Sequence, residues 1–473
     1  MRFYLIFKRI NEIDYLIQEI YSTITNKGSN IDLEKVYENV LKEYPILKNY
    51  SLIIGTNDTT NNYFHKTIPA SMNEQSFYDY NMKQNIFINH IWFEFSNIVY
   101  LSNKKNDQLV AFDSTVYIDS NAMNMIDKFR KSPQDYRNSF LDFKIKYDVD
   151  LNYLPYLLED YINPDHESPK LDKTRDKIES FEIVNNLDKE FYHKSGEVRI
   201  DNKKLESQGY KRFEDFLHDK FFYFSNNFCE KKDCSFISIS NNAFMIMPNK
   251  NNIDYSEYLS MYNIIYGYVL NILIEKNKEN TVECKIHNIL KNMNLNGQVM
   301  MEILFFSYIY FTQDDKYNIN KFFNFDLVSW EYEKILKKAR NIAWDIYLYG
   351  ITKDFIVNPI RKINNLEYKA DFGIPLFLTM DSRFYNAYIK FSSIQMLIID
   401  ESTDLKTYIS INTNIYENEE FGNILMSFYD KNKDILKIKE RILKKYSRKN
   451  FVYSIRNIFK ERMESELKYF LKL

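Results

Sequence analysis

Two apolar runs that each end on an aspartate constrain the fold of this chain most. Residues 115–119 read TVYID, and residues 373–381 read GIPLFLTMD. Short apolar runs of this kind predict strands. Strands that alternate with helices favour a parallel sheet with helices on its faces. The predicted class is therefore α/β, with additional mixed α+β regions. Helical periodicity is found over residues 255–276, 284–293, 297–312 and 326–350.

Four acids stand in apolar surroundings. Asp119 and Asp381 end the two predicted strands, so we expect them at one edge of the sheet, where ligands of α/β proteins bind. Glu302 interrupts VMMEILFFSYIYF, and Asp345 lies within NIAWDIYLYG. An unpaired carboxylate in a dry core is costly, so each acid needs a partner.

Each acid also has a local explanation. Asp119 and Asp381 are good helix-capping residues, and Glu302 would suit an exposed helix position. Arg340 and Arg383 are available to pair with Asp345 and Asp381. Taken jointly, four carboxylates without a His or Cys cluster favour a hard cation, Mg²⁺ or Mn²⁺.

Three segments resemble the PIN-domain nucleases. VYIDSNAMNMI is similar to the opening strand, acid and helix of that family. ARNIAWDIYLYGI resembles its later acid-bearing helix, and GIPLFLTMDSRF resembles its penultimate strand. The resemblance implies a small parallel α/β sandwich that hydrolyses phosphodiesters, usually in RNA, with a divalent metal held by an acidic quartet.

The resemblance also assigns roles to residues. Asp119, Glu302, Asp345 and Asp381 would be the catalytic, metal-binding acids, Ser120 and Asn121 would support the first acid, and Thr379 would help to hold the last. The gap between Asp119 and Glu302 is much longer than the family requires, so Glu331 or Asp326 are alternatives to Glu302.

The long gap predicts an interrupted nuclease domain. Its parts are residues 111–140 and 285–400, with an insertion at 141–284, an N-terminal α+β region at 1–110 and a basic helical region at 401–473. Within the insertion, residues 163–220 are charged and predict a linker with a weak core, and residues 221–247 predict strands. A third strand ending on an acid is predicted at 394–400.

The C-terminal region is strongly basic. Residues 431–473 contain 14 Lys and Arg against 5 Asp and Glu, although the whole chain has a net charge of −2. Such asymmetry serves polyanion binding. We therefore expect Lys444, Lys445, Arg448 and Lys449 to contact phosphate backbones, the alternative being a solvated helical face.

Several function classes are disfavoured. The chain has no GxxxxGK[ST], GxGxxG or GxSxG motif. A haloacid-dehalogenase phosphatase needs a second acid where Asn121 stands. Three cysteines give no disulfide framework, and no apolar run is long enough for a membrane span, so a cytoplasmic location is expected.

The prediction is a metal-dependent endoribonuclease that binds RNA rather than DNA, as a homodimer or with a protein partner. Two alternatives stay open: a catalytically silent PIN-like scaffold that binds RNA or protein, and an α-helical interaction protein whose acids are solvated or paired.

Overall fold

The fold is that of a computed structural model of the chain. Apart from isolated positions, the described residues are 33–56, 75–79, 84–90, 97–101, 110–131, 139–147, 150–162, 171–224, 255–296, 299–314, 318–325, 330–353, 372–379, 381–384, 394–400, 407–412, 418–432 and 449–471.

The described strands are β1 (Tyr50–Thr56), β2 (Gln75–Asp79), β3 (Gln84–His90), β4 (Asn97–Leu101), β5 (Val110–Ile118), β6 (Asp150–Asn152), β7 (Phe372–Thr379), β8 (Ile394–Asp400) and β9 (Thr407–Asn412). The described helices are α1 (Leu33–Glu43), α2 (Ser120–Lys131), α3 (Ser139–Tyr147), α4 (Leu154–Leu157), α5 (Leu171–Asn185), α6 (Lys189–Ser195), α7 (Asn202–Ser207), α8 (Phe213–Phe224), α9 (Tyr255–Lys276), α10 (Val282–Leu295), α11 (Met301–Thr312), α12 (Ile319–Phe322), α13 (Tyr332–Lys353), α14 (Ser382–Phe384), α15 (Glu419–Lys431) and α16 (Lys449–Phe470). A 3₁₀ turn precedes β1 at Pro45–Asn49, and a π-helical turn follows α4 at Leu158–Ile162.

The strands form two sheets. One has the order β2-β3-β7-β5-β6, in which β7, β5 and β6 run parallel while β2 and β3 are antiparallel. The other has the order β4-β1-β8-β9 and is antiparallel throughout. The three parallel strands among many helices are compatible with the predicted α/β class.

Helices cover both faces of the parallel strands. Successive side chains of a strand point to opposite faces. On β5, Val116 and Ile118 pack with α2, α3 and α5, whereas Tyr117 packs with the helices of the C-terminal half. Buried strands of a parallel sheet are apolar on both sides for this reason, which explains the unbroken apolar run.

The C-terminal helices form the largest core. Helix α9 packs against α13 and α16, and α10 packs against α11 and α15. At the α9–α16 contact, a Cβ atom on Gly267 would lie 2.6 Å from a ring carbon of Phe459, so glycine permits the close approach. In the part of the chain described, no helix combines the length and the apolar character needed to cross a membrane.

Two sequence predictions are wrong, and a third is confirmed with an unexpected pairing. Residues 171–185, within the predicted linker, form α5, which buries Ile178, Phe181 and Val184 against α2. Residues 221–224 belong to helix α8 and not to a strand; residues 225–247 lie outside the described part. The third acid-ended strand is confirmed at 394–400 as β8, but it belongs to the antiparallel sheet, because it pairs with β1 and β9.

Candidate acidic site

Asp119 and Asp381 lie at the same edge of the parallel sheet. Ile118 of β5 pairs with Leu378 of β7, and the Asp119 amide donates to the Leu378 carbonyl at 3.3 Å. Both acids therefore follow the carboxyl ends of neighbouring parallel strands, where α/β proteins bind ligands.

The strand alternation also determines which helix the acids face. Phe377 points towards α13, where its ring lies 6.0 Å from that of Tyr349. By alternation, Thr379 shares the face of Phe377, and Asp119 shares the face of Tyr117. Asp345 lies one helical turn before Tyr349 on α13, so it belongs to the same face of that helix.

Asp119 begins helix α2 as its N-cap. Its Oδ1 accepts a hydrogen bond from the Ala122 amide at 2.7 Å, and its carboxylate is also hydrogen-bonded by the Thr379 side chain. Its side chain is almost fully buried, with 7% exposure. Burial, together with the charges of Glu159 and Asp381, raises the Asp119 pKa from 3.8 to about 7, although these two hydrogen bonds lower it.

Asp345 is perturbed in the same direction. Burial, followed by the charges of Glu159, Asp381 and Asp119, raises the Asp345 pKa well above its ordinary value of 3.8, and Lys338 partly opposes this rise. The Lys338 pKa is itself lowered, first by burial and then by Arg383. The charges of Asp119, Glu159 and Asp381 thus act on Asp345, and these four residues are here called the acidic site.

The negative charge of Asp381 has more hydrogen-bond and ion-pair partners than that of Asp119. It caps the short helix α14, accepting hydrogen bonds from the amides of Arg383 at 2.8 Å and Phe384 at 3.2 Å. The Arg383 guanidinium adds an ion pair at 3.2 Å. The Asp381 amide donates to the Thr379 hydroxyl at 3.1 Å. Thr379 is thus buried between the two strand-ending acids and positions both.

Glu159 is the acid that sequence reasoning missed. It lies in the π-helical turn after α4, and its carboxylate accepts a hydrogen bond from the Ser120 hydroxyl. Glu159 has Leu157, Leu158 and Ile162 nearby in the sequence. It therefore matches the pattern that identifies the other acids, an acidic residue among apolar ones.

Glu302 has a different position. It lies in the first turn of α11, which packs chiefly against α9, α10 and α12. An acid is favourable near a helix N-terminus, which gives Glu302 a structural role. Of its alternatives, Glu331 is exposed next to α13, and Asp326 lies outside the described residues.

The remaining predicted site residues are Asn121 and four basic residues of the C-terminal region. Asn121 is exposed in the first turn of α2. Lys449 is the first residue of α16, a helix whose Phe459, Met463 and Leu467 are buried in the core. Lys444, Lys445 and Arg448 lie outside the described residues.

The donors of the acidic site are carboxylate and hydroxyl oxygens, the ligand type that Mg²⁺ and Mn²⁺ prefer. Among the described residues, no three His, Cys, Asp or Glu side chains are grouped closely enough to form a metal site by themselves. Mg²⁺ commonly uses only one or two carboxylates, with water and substrate phosphates as its other ligands, so the donor chemistry fits that mode of binding.

Comparison with known proteins gives no relative. No protein-family model matches the chain, and no curated protein or solved structure is significantly similar to it.

Proposed function

We propose that the acidic site binds Mg²⁺ or Mn²⁺ and hydrolyses phosphodiester bonds, with RNA as the substrate rather than DNA. One observation carries the proposal: Asp119, at the carboxyl edge of the parallel sheet, and Asp345, on helix α13 that packs against β7, both have raised pKa values. Strongly perturbed acids that act on one another are characteristic of functional sites.

The charge balance supports a cation. Four carboxyl groups act on one another, and Lys338 and Arg383 are cations that act on Asp345 and Asp381. A divalent cation at such a site neutralises charge on the scissile phosphate and lowers the pKa of a bound water. Asp119 and Asp345 would hold the cation, because their carboxylates gain most from a positive neighbour.

The other residues of the site have positioning roles in this proposal. Thr379 orients Asp119 and Asp381 from between the two strands. Ser120 holds Glu159 towards the site. Lys338 and Arg383 supply positive charge at the rim, where a phosphate would enter.

A cleavage assay tests the proposal. The protein is incubated with RNA and, separately, with single-stranded DNA, in Mg²⁺, in Mn²⁺ and in EDTA. RNA should be cut only when the metal is present. Asp119→Asn should lower the cleavage rate by about a hundredfold or more, because it removes a charge that would hold the metal ion. The variant should remain folded, since Asn also caps helices well.

Glu302→Gln is the matched control, because it makes the same chemical change on the helical core and should leave cleavage within a few fold of the wild type. Unchanged cleavage by the Asp119→Asn protein would refute the proposal.

A catalytically silent scaffold is the second candidate. Asp119 and Asp381 both cap helices, and this use would explain their presence without chemistry. The scaffold predicts RNA or protein binding with no cleavage in either metal, so the same assay separates the two candidates.

A further inference from the structure

A cleft with four lysines lies away from the acidic site. Its volume is about 510 Å³. It is formed where the ends of α3 and α5 meet the starts of β6, α6 and α7. We call it the lysine cleft; its lining residues are Lys144, Ile145, Asp150, Asn185, Leu187, Lys189, Asp201, Lys203 and Lys204.

Backbone hydrogen bonds fix the walls of the lysine cleft. The Asp188 amide donates to the Arg199 carbonyl at 2.9 Å, and the Asp201 amide donates to the Asn186 carbonyl at 2.7 Å. The Asn185 side chain accepts from the Leu151 amide at 2.8 Å, which ties α5 to β6. The cleft is therefore part of the ordered fold and not a gap between loops.

The two carboxylates of the lysine cleft are already engaged. Asp201 accepts hydrogen bonds from the amides of Lys203 at 2.9 Å and Lys204 at 3.3 Å, as the N-cap of α7. Asp150 lies 3.7 Å from the Lys204 ammonium, which also donates to the Asn185 carbonyl at 3.2 Å. The four lysines and two aspartates that line the cleft together carry a net charge of +2.

Lys144 also lines the lysine cleft, although only 6% of it is exposed. A lysine in such a position buries its apolar stem and keeps its ammonium near solvent. Lys189 and Lys203 are exposed on the walls, so a ligand can reach them without a rearrangement.

We propose that the lysine cleft binds a phosphate group, carried either by a small polyphosphate anion or by a nucleic-acid strand. Lysine ammonium groups are compact donors that bind phosphate as point charges. The cleft is distinct from the acidic site: Asp150 pairs with Thr115, four residues before Asp119 on β5. That spacing corresponds to roughly 13 Å along the strand. The proposal does not depend on catalysis at the acidic site.

Binding measurements on two matched variants test this proposal. Lys189→Gln/Lys203→Gln removes two charges from the walls of the lysine cleft. Lys194→Gln/Lys211→Gln removes two charges from exposed positions of the same segment outside the cleft. Calorimetry with pyrophosphate and fluorescence anisotropy with a short labelled RNA are performed in EDTA, so that no cleavage interferes.

The cleft variant should lose affinity about tenfold or more, and the control should change little. With RNA, losing two phosphate contacts should also reduce the salt slope by about 1.4. If the cleft variant loses affinity for both pyrophosphate and RNA, the cleft recognises the phosphate group itself. If it loses affinity for RNA alone, the natural ligand is a nucleic-acid strand.

Equal affinities of the two variants for both ligands, or no binding of either ligand by the wild type, would overturn the proposal. If the double variant does not fold, Lys203→Gln is compared with Lys211→Gln. If phosphate binding at the lysine cleft is not found but RNA is still cleaved with metal, only the binding proposal is refuted. If the cleft binds phosphate but RNA is not cleaved, only the nuclease proposal is refuted.

Discussion

The two ends of α2 meet acidic side chains in different surroundings. At its C-terminal half, Asp127 accepts a hydrogen bond from Ser180 at 2.6 Å and pairs with Lys131 at 2.9 Å. Arg130 of the same helix contacts Glu179 of α5 at 2.5 Å. At its N-terminal end, Asp119 is buried beside other acids.

The difference lies in how the charges are balanced. Between α2 and α5, Asp127 and Glu179 each pair with a cation. At the acidic site, the charges of Glu159 and Asp381 raise the Asp119 pKa, and a cation partner is not among the main influences on it. The same helix thus shows that acids with cation partners are attainable in this fold, whereas Asp119 at the sheet edge lies among like charges.

The largest expected effect is on stability at the acidic site. The Asp119 pKa is higher in the folded state, about 7, than the ordinary 3.8 of an unfolded chain. The folded protein therefore binds the proton more tightly, and this contribution to stability is present below pH 4 and is lost as pH rises through 7. Asp119→Asn should raise the free energy of unfolding at pH 8 by a few kcal/mol relative to the wild type.

Urea denaturation at pH 5 and pH 8 measures this effect. The advantage of the variant should shrink at pH 5, where the wild-type carboxyl is protonated. A variant that is less stable than the wild type at pH 8 would show that Asp119 is compensated like Asp127.

A substitution between α2 and α5 should lower the free energy of unfolding, and by less than Asp119→Asn raises it. The buried Ser180 hydroxyl donates to Asp127 and accepts from the Arg130 guanidinium at 3.1 Å. Ser180→Ala should lower the free energy of unfolding by about 1–3 kcal/mol, because a charged acceptor and a charged donor lose a buried partner. The loss should be nearly the same at pH 6 and pH 8. A neutral result would mean that this interface is not held by its polar contacts.

The smallest effect is expected at the outer pair of that interface. The side chains of Arg130 and Glu179 are 27% and 29% exposed, so solvent screens their ion pair. Glu179→Gln should cost less than about 1 kcal/mol, and the cost should fall further in high salt. If Glu179→Gln lowers the stability as much as Ser180→Ala does, then Arg130, Glu179 and Ser180 form a strongly coupled network. Such a network would increase the contrast with the acidic site.

Local patterns predicted the helices and strands better than their pairing. Strands β5 and β7 and helices α9, α11 and α13 follow from apolar periodicity, since burial of one or both faces determines which positions are apolar. Strand β8 has the same apolar run and acidic end as β5, but its partner is set by long-range contacts that no local pattern carries. In α8, Phe213, Phe216, Leu217 and Phe221 have helical spacing, which the aromatic composition concealed.

The acidic site was partly visible in the sequence. Asp119, Asp345 and Asp381 are acids in apolar surroundings, and in the structure the charges of Asp119 and Asp381 act on Asp345. Glu302 met the same criterion, but a helix N-terminus gives an acid another reason to stand before an apolar run. Glu159 was missed because its approach to Ser120 depends on where α4 packs beside β5, a contact between distant elements.

The most direct measurement of the central claim is the pKa of Asp119 itself, from carboxyl carbon-13 chemical shifts followed over pH in the metal-free protein. Burial among like charges predicts a value of about 7 in the wild type, and Glu159→Gln should lower it because one repelling charge is removed. A wild-type Asp119 that titrates near the ordinary value of 3.8, with no response to Glu159→Gln, would contradict a shared acidic site.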